Sequence, residues 1–125
     1  MKKTKFSILI ANYNNEKYIN RCVESCLNQN INEKYEIILI DDNSSDNSLK
    51  KINKFKNKIK IIEIKKSKKG LKFNTYFQLN TYLTGLLKAK GEIICFLDSD
   101  DYFKDNKLSV INDYFIKKKF VRNNF

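Results

Sequence analysis

Apolar residues recur along this chain in two alternating rhythms. Phe6 to Ala11 is a short, mostly apolar run, Tyr35 to Ile40 carries the unbroken Ile37-Ile38-Leu39-Ile40, Lys58 to Ile64 alternates loosely, and Glu92 to Leu97 is mostly apolar again. Short continuous apolar runs of this kind suit parallel strands buried on both faces. Between them the spacing turns helical. Ile19, Cys22, Val23, Cys26 and Leu27 fall at i, i+3, i+4, i+7 and i+8, and predict a helix over Glu16 to Gln29 with Asn14 or Asn15 as N-cap. Ser44-Ser45-Asp46 offers capping chemistry for a second helix to about Asn57, with Leu49, Ile52 and Phe55 inward. After a basic loop from Lys65 to Gly70, Leu79, Tyr82, Leu83 and Leu86 mark a third helix. It stops at Lys88 to Gly91, where the glycine suits a left-handed cap. Leu108, Ile111 and Phe115 mark a fourth, before the basic tail Lys117 to Arg122.

Strand and helix therefore alternate four times. The expected fold is α/β: an open, mostly parallel sheet with flanking helices, joined by right-handed crossovers, forming one domain over residues 1–125. Ligands of such sheets bind outside the carboxyl ends of the strands, so the polar residues at those ends carry the functional question.

Three of the four strand ends hold dense polar clusters. Asn12-Tyr13-Asn14-Asn15 follows the first strand, Asp41-Asp42-Asn43-Ser44-Ser45-Asp46 the second, and Asp98-Ser99-Asp100-Asp101 the fourth. Clustered carboxylates repel unless a cation or a hydrogen-bonding ligand compensates them. The chain has no His, and the only three Cys lie elsewhere, so the ligands on offer are hard oxygens. These select Mg²⁺ or Mn²⁺ over zinc, and Mg²⁺ sites use one or two carboxylates with water and substrate phosphates completing the shell. Taken alone, Asp41-Asp42 also reads as a helix-capping turn, and Asp98 to Asp101 as a solvated turn.

Cys22 and Cys26 on the apolar helix face, and Cys95 within a strand, read as core thiols. An odd cysteine count argues against a disulfide framework and for a reducing, cytoplasmic compartment. No apolar run approaches the roughly 20 residues of a membrane span, and the basic N-terminus lacks a signal-peptide core. The formal net charge of +11 is local: residues 50–72 hold eleven Lys and one acid, Glu63. That segment admits a second class of function, a non-enzymatic module binding polyanions or an anionic membrane surface, although Lys-rich faces are usually just solvated. No RNP-like or helix-turn-helix pattern supports nucleic-acid reading. A receiver-like phosphoacceptor domain, suggested by Asp41-Asp42 after a strand, fits the first and fourth strand ends less well.

Three blocks together resemble family 2 glycosyltransferases of the GT-A fold. Ser7 to Asn14, then Tyr18-Ile19 and Glu24 to Gln29, look like the family's opening; Glu36 to Asp46 like its second strand and turn; Ala89 to Asp101 like its metal-binding strand end. The resemblance spans about Lys5 to Leu108. It implies a nucleotide-sugar site at Ala11, Tyr13, Asp42 and Asp98, with Tyr13 stacked on the base, Asp42 accepting from a uracil-like edge, and Asp98 on the ribose or sugar side. It implies Mn²⁺ or Mg²⁺ held mainly by Asp100 with Asp98, and Asp101 assisting. The expected activity is inverting, metal-dependent transfer of a sugar from a nucleotide diphosphate sugar, with a UDP-sugar favoured. The acceptor would be a glycan or lipid-linked molecule in surface-polysaccharide assembly, with peripheral contact at the inner membrane face. The family usually carries an Arg-Asn pair where Tyr82 and Leu83 stand here, with Lys68, Lys69 or Lys72 as substitute cations. Its acceptor half and catalytic base follow the metal-binding strand, whereas after Asp113 this chain has no Asp, Glu or His; Asp105 and Asp113 read as caps or solvent-facing residues. The chain is thus expected to be the donor-binding half, incomplete at its C-terminus and inactive alone.

Overall fold

The computed structural model describes residues 2–65 and 74–123, with side chains for 2–65 and 78–118. The elements run β1 (Phe6–Asn12), α1 (Ile19–Leu27), β2 (Tyr35–Asp42), α2 (Ser48–Ile52), β3 (Lys60–Ile64), α3 (Asn74–Leu86), β4 (Ile93–Asp98) and α4 (Lys107–Asn123), with a 3₁₀ turn at Asn53–Phe55 extending α2. The four strands form one sheet in the order β3-β2-β1-β4, parallel throughout.

Strand periodicity divides the core in two. Ile8, Ile10, Ile37, Leu39, Cys95 and Leu97 face one layer with Cys22, Val23 and Cys26 of α1, Ile52 of α2 and Leu108 of α4. Leu9, Ile38 and Ile40 face the other, with Tyr82 of α3. Ile8 to Ala11 of β1 and Ile37 to Ile40 of β2 are unbroken apolar stretches because both faces of these central strands are covered. From β1 the chain winds outward through α1 and α2 on one face. It then returns past β1 to β4 through α3 on the opposite face. This reversal makes the crevice between the carboxyl ends of β1 and β4 the topological switch point.

Several helix boundaries depart from the sequence reading. The first helix begins at Ile19, not Glu16, and neither Asn14 nor Asn15 caps it through a side chain. The Asn15 carbonyl instead accepts from the Tyr18 and Ile19 N–H groups, and Asn14 sits at φ 51°, outside any helix. The second helix keeps α-geometry only to Ile52, with Ile52 and Phe55 buried and Leu49 half-buried. The last continues through the basic residues to Asn123.

Helix α3 turns its leucines the wrong way for the periodicity argument: Leu79, Leu83 and Leu86 are exposed, while Thr81 and Gly85 are buried and Tyr82 half-buried. Gly85 explains the choice, since a Cβ there would stand 2.5 Å from Ile40 Cδ1. The absent side chain lets α3 lie close on β2 and β1. Gly91 is likewise not a left-handed cap. Its backbone stays out of the left-handed region, and a Cβ would overlap the backbone of Phe6 and Ser7.

Cys22, Cys26 and Cys95 are buried, free thiols, as expected. Lys50, Lys54, Lys56, Lys58, Lys60 and Lys65 are exposed. Lys66 to Gly70, and with them Lys68, Lys69, Lys72 and Phe73, lie outside the described residues. Among the described residues no helix is long and apolar enough to cross a membrane.

Candidate functional site

The parallel register brings the polar strand ends to one rim. Asn12 lies opposite Asp41, and Ala11 opposite Asp98. Asp42, one residue beyond Asp41, pairs with Ile64 of β3. Adjacent strands stand about 4.8 Å apart, so the ends of β2 and β4 flank β1 across about 10 Å.

The loops after β1 and β2 are laced together. Asp41 is buried; its Oδ1 accepts from Asn12 Nδ2 at 2.7 Å and Ser44 Oγ at 2.7 Å, and its Oδ2 from the Ser44 N–H at 3.0 Å. Asn14 Oδ1 accepts from the Ser45 N–H at 2.8 Å and the Asp46 N–H at 3.2 Å. Asp46 in turn accepts from the Glu16 N–H at 3.0 Å and the Ser48 N–H at 2.9 Å. Burial would raise the Asp46 carboxyl, but the Ser48 hydroxyl and these N–H donors outweigh it and hold it below the usual carboxylate range. Asn14 and Asn43 both have positive φ, a conformation asparagine tolerates better than bulkier residues. Of the acidic pair, Asp41 therefore builds the turn, and Asp42 is half-buried with a carboxylate that makes no hydrogen bond or ion pair among the described residues.

The third loop joins from the other side. Asn15 Nδ2 donates to Ser99 Oγ at 2.7 Å, and the Ser99 N–H to the Ala11 carbonyl at 3.1 Å. The Asp101 N–H donates to the Asp98 carbonyl at 3.0 Å, while Asp101 Oδ1 accepts from the Tyr102 N–H at 2.8 Å. The Arg21 guanidinium lies over the Tyr102 ring at 4.2 Å from its centroid. Asp98 and Asp100 point into solvent-accessible space, and Tyr13 is 61% exposed.

Two residues of α3 reach Asp98. Gln78 Nε2 donates to Asp98 Oδ1 at 2.6 Å and the Tyr82 hydroxyl to the same atom at 2.5 Å. Burial first, then this hydrogen bond to a carboxylate, raises the Tyr82 phenol well above its ordinary value. Tyr82, which stands where the resemblance would put the Arg of an Arg-Asn pair, provides a neutral donor to Asp98. Gln78 was missed altogether; its signal was its place at i, i+4 from Tyr82, which puts both side chains on one side of α3. The two residues line a cleft of about 580 Å³ along β4 together with Phe96, Asp98, Asp101 and Lys107. Tyr13, Asp42 and Asp100 share the rim but not the lining of that cleft.

Asn12 Oδ1 is buried and has no partner among the described residues. An orphaned acceptor of this kind costs about 1–3 kcal/mol. No three His, Cys, Asp or Glu side chains among the described residues converge on a common metal position. Asp98 and Asp100 do offer exposed carboxylates separated by one residue, a donor set that fits a hard divalent cation completed by water and phosphate oxygens.

A model of glycosyl transferase family 2 matches residues 7–121. The minor teichoic acid biosynthesis protein GgaA of Bacillus subtilis is 39% identical over 124 residues, which cover 93% of this chain and 26% of that protein. The poly(ribitol-phosphate) beta-glucosyltransferase of Bacillus spizizenii is 38% identical over 110 residues, 83% of this chain and 16% of that one. The crystal structure of Staphylococcus aureus TarS 1-349 in complex with UDP-GlcNAc superposes with a TM-score of 0.76 at 28% identity, over 91% of this chain and 32% of that chain. The chain thus spans about a third or less of the length of these relatives.

Proposed function

The chain belongs to glycosyl transferase family 2, and from that premise we propose that it binds the nucleotide diphosphate sugar of an inverting, metal-dependent glycosyl transfer. A UDP-sugar is the favoured donor. A glycan or lipid-linked molecule of surface-polysaccharide assembly is the favoured acceptor. The observation that carries the reading is the common rim: Tyr13, Asp42, Asp98 and Asp100 lie at the carboxyl ends of three adjacent parallel strands, two of which, β1 and β4, flank the switch point. The UDP-GlcNAc held by TarS, and the teichoic acid and poly(ribitol-phosphate) for which the two relatives are named, support the same donor and acceptor classes.

In this reading the exposed Tyr13 ring stacks on the base, and Ala11 allows the nucleotide close to the backbone of β1. Asp42, whose neighbour Asp41 already satisfies the turn, keeps its carboxylate for the base edge. Asp98 binds on the ribose or sugar side. Asp100, with Asp98, would hold Mn²⁺ or Mg²⁺. When bound, such an ion neutralises negative charge on the departing nucleoside diphosphate. This chain's own residues bind and orient the donor; none is assigned as the base that activates the acceptor hydroxyl.

Isothermal titration calorimetry of UDP with and without Mn²⁺ tests the reading. Binding is expected with Mn²⁺ and is expected to weaken by about tenfold or more in Asp100→Ala. Absence of UDP binding, or an Asp100→Ala variant that binds as tightly as the wild type, overturns it.

A further inference from the structure

We infer that Gln78 and Tyr82 are positioning residues, which fix Asp98 so that one chosen carboxylate oxygen, Oδ2, faces the donor. The inference rests on the donor-site reading above and adds to it the means by which an exposed carboxylate is held still. Both α3 side chains donate to Oδ1, at 2.6 Å from Gln78 Nε2 and 2.5 Å from the Tyr82 hydroxyl. A carboxylate oxygen accepts about two strong hydrogen bonds, so Oδ1 is saturated by the protein. Among the described residues nothing donates to Oδ2. The carboxylate is therefore divided into an anchored oxygen and an available one.

The anchors are themselves fixed. The Tyr82 ring meets Phe96 edge-on, with centroids 5.0 Å apart and planes at 79°. Phe96 lies two residues before Asp98 on the same face of β4, so one strand sets both the ring and its target. Gly85 brings α3 close enough to the sheet for Gln78 and Tyr82 to reach, because no side chain separates it from Ile40 and Leu9. The Asp98 backbone is pinned by its register with Ala11 and by the Asp101 N–H.

The chemical character of the anchors matters as much as their position. An arginine or lysine at Asp98 would neutralise the charge it oriented. A phenol and an amide orient it and leave the full negative charge at the rim, where a cation or a donor hydroxyl can use it. Orientation without neutralisation is what a charged ligand-binding carboxylate requires.

The test uses the full chain and three variants: Tyr82→Phe, Gln78→Leu and the two combined. Affinity for UDP in the presence of Mn²⁺ is measured by calorimetry, and the thermal midpoint of each free protein by circular dichroism. Because the two donors share one oxygen, either alone still holds it, though less firmly than both together. Each single variant is expected to bind about threefold more weakly and the double variant about 30-fold, beyond the ninefold or so of independent effects. Tyr82→Phe keeps the ring contact with Phe96, so its midpoint should stay within about 2 °C of the wild type. That single variant also keeps the test readable if the double variant does not fold. Binding losses that simply multiply, losses that track the midpoint, or unchanged affinity in Tyr82→Phe overturn the inference. If wild type binds UDP and Asp100→Ala does not, those outcomes leave the donor-site reading standing; failure of the wild type to bind UDP removes both.

Discussion

Replacing Gly91 separates two physical explanations for the same glycine. If Gly91 were needed for a left-handed backbone, asparagine would substitute well and alanine would cost about 1 kcal/mol. The structure gives a different reason: an added Cβ would overlap the Phe6 and Ser7 backbone and lie 2.7 Å from Ser7 Oγ. Ordinary contact requires roughly a further 1 Å, and the obstruction is main chain at the start of β1, which cannot rotate away. Relieving it pulls the β4 entry from β1. That movement strains the Gly91 N–H to Ser7 Oγ bond at 2.8 Å, the Lys90 N–H to Glu36 Oε1 bond at 2.6 Å and the Ile93 N–H to Lys5 carbonyl bond at 2.9 Å. Losing two of these at about 1–2 kcal/mol each, with the strain of imperfect repacking, predicts a loss of about 3–5 kcal/mol for Gly91→Ala. Gly91→Asn should be at least as damaging. Gly85→Ala is the control. Its Cβ meets the tip of the Ile40 side chain, which can shift, and alanine gains about 1 kcal/mol of helix propensity, so the net loss should be near 1 kcal/mol. Urea unfolding followed by circular dichroism reads all three, with unchanged m-values as the check on two-state behaviour. A Gly91→Asn variant within about 1 kcal/mol of wild type would refute the steric explanation and restore the cap.

Two further predictions concern the rim. Tyr13→Ala should weaken UDP binding by roughly 5- to 100-fold, the range of one base–aromatic stack, with Tyr13→Phe near wild type and neither altering the unfolding midpoint, since the ring is exposed; calorimetry and thermal melts check both halves. Asp46 has a carboxyl held below its ordinary value of 3.8 by Ser48 and Glu16 donors despite burial. Its stabilisation is therefore fully present above that value and is lost as pH falls through the lower folded-state value. The stability difference between wild type and Asp46→Asn, from urea unfolding at pH 6, 4 and 2.5, should accordingly shrink toward the acid end; a difference independent of pH would contradict the assignment.

Much of this architecture is legible in the linear pattern. The apolar stretches Ile8 to Ala11 of β1 and Ile37 to Ile40 of β2 needed no tertiary information, because strands covered on both faces take apolar residues at successive positions. The alternation of strand and helix implied a parallel sheet, and a parallel sheet places the carboxyl ends on one side whatever the strand order. Asn12 to Asn15, Asp41 to Asp46 and Asp98 to Asp101 could therefore be assigned to one rim before any coordinates. The helix α3 was misread because periodicity counts leucines and does not count the glycine that admits the backbone. Gly85 and Thr81 define the packed face, and the leucines follow from that choice to the outside. The N-terminus of α1 was misplaced because Asn14 and Asn15 have the chemistry of caps but spend it on the neighbouring loops, Asn14 on Ser45 and Asp46, Asn15 on Ser99.

Taken by itself, the order of residues determined which side chains are apolar, how often they recur, and hence the class of sheet and the edge on which its polar chemistry collects. Those properties are local, set by the period of a strand or a helix. The division of labour within the polar chemistry was decided only in three dimensions: Asp41 buried in a turn while Asp42 is left over, and Asp98 shared between a helix 16 and 20 residues upstream and the open rim. A hydrogen bond is directional and short, so its partners depend on which backbones come within a few ångströms of each other. No spacing along the chain encodes that approach; the packing of α3 on β1 and β2 does.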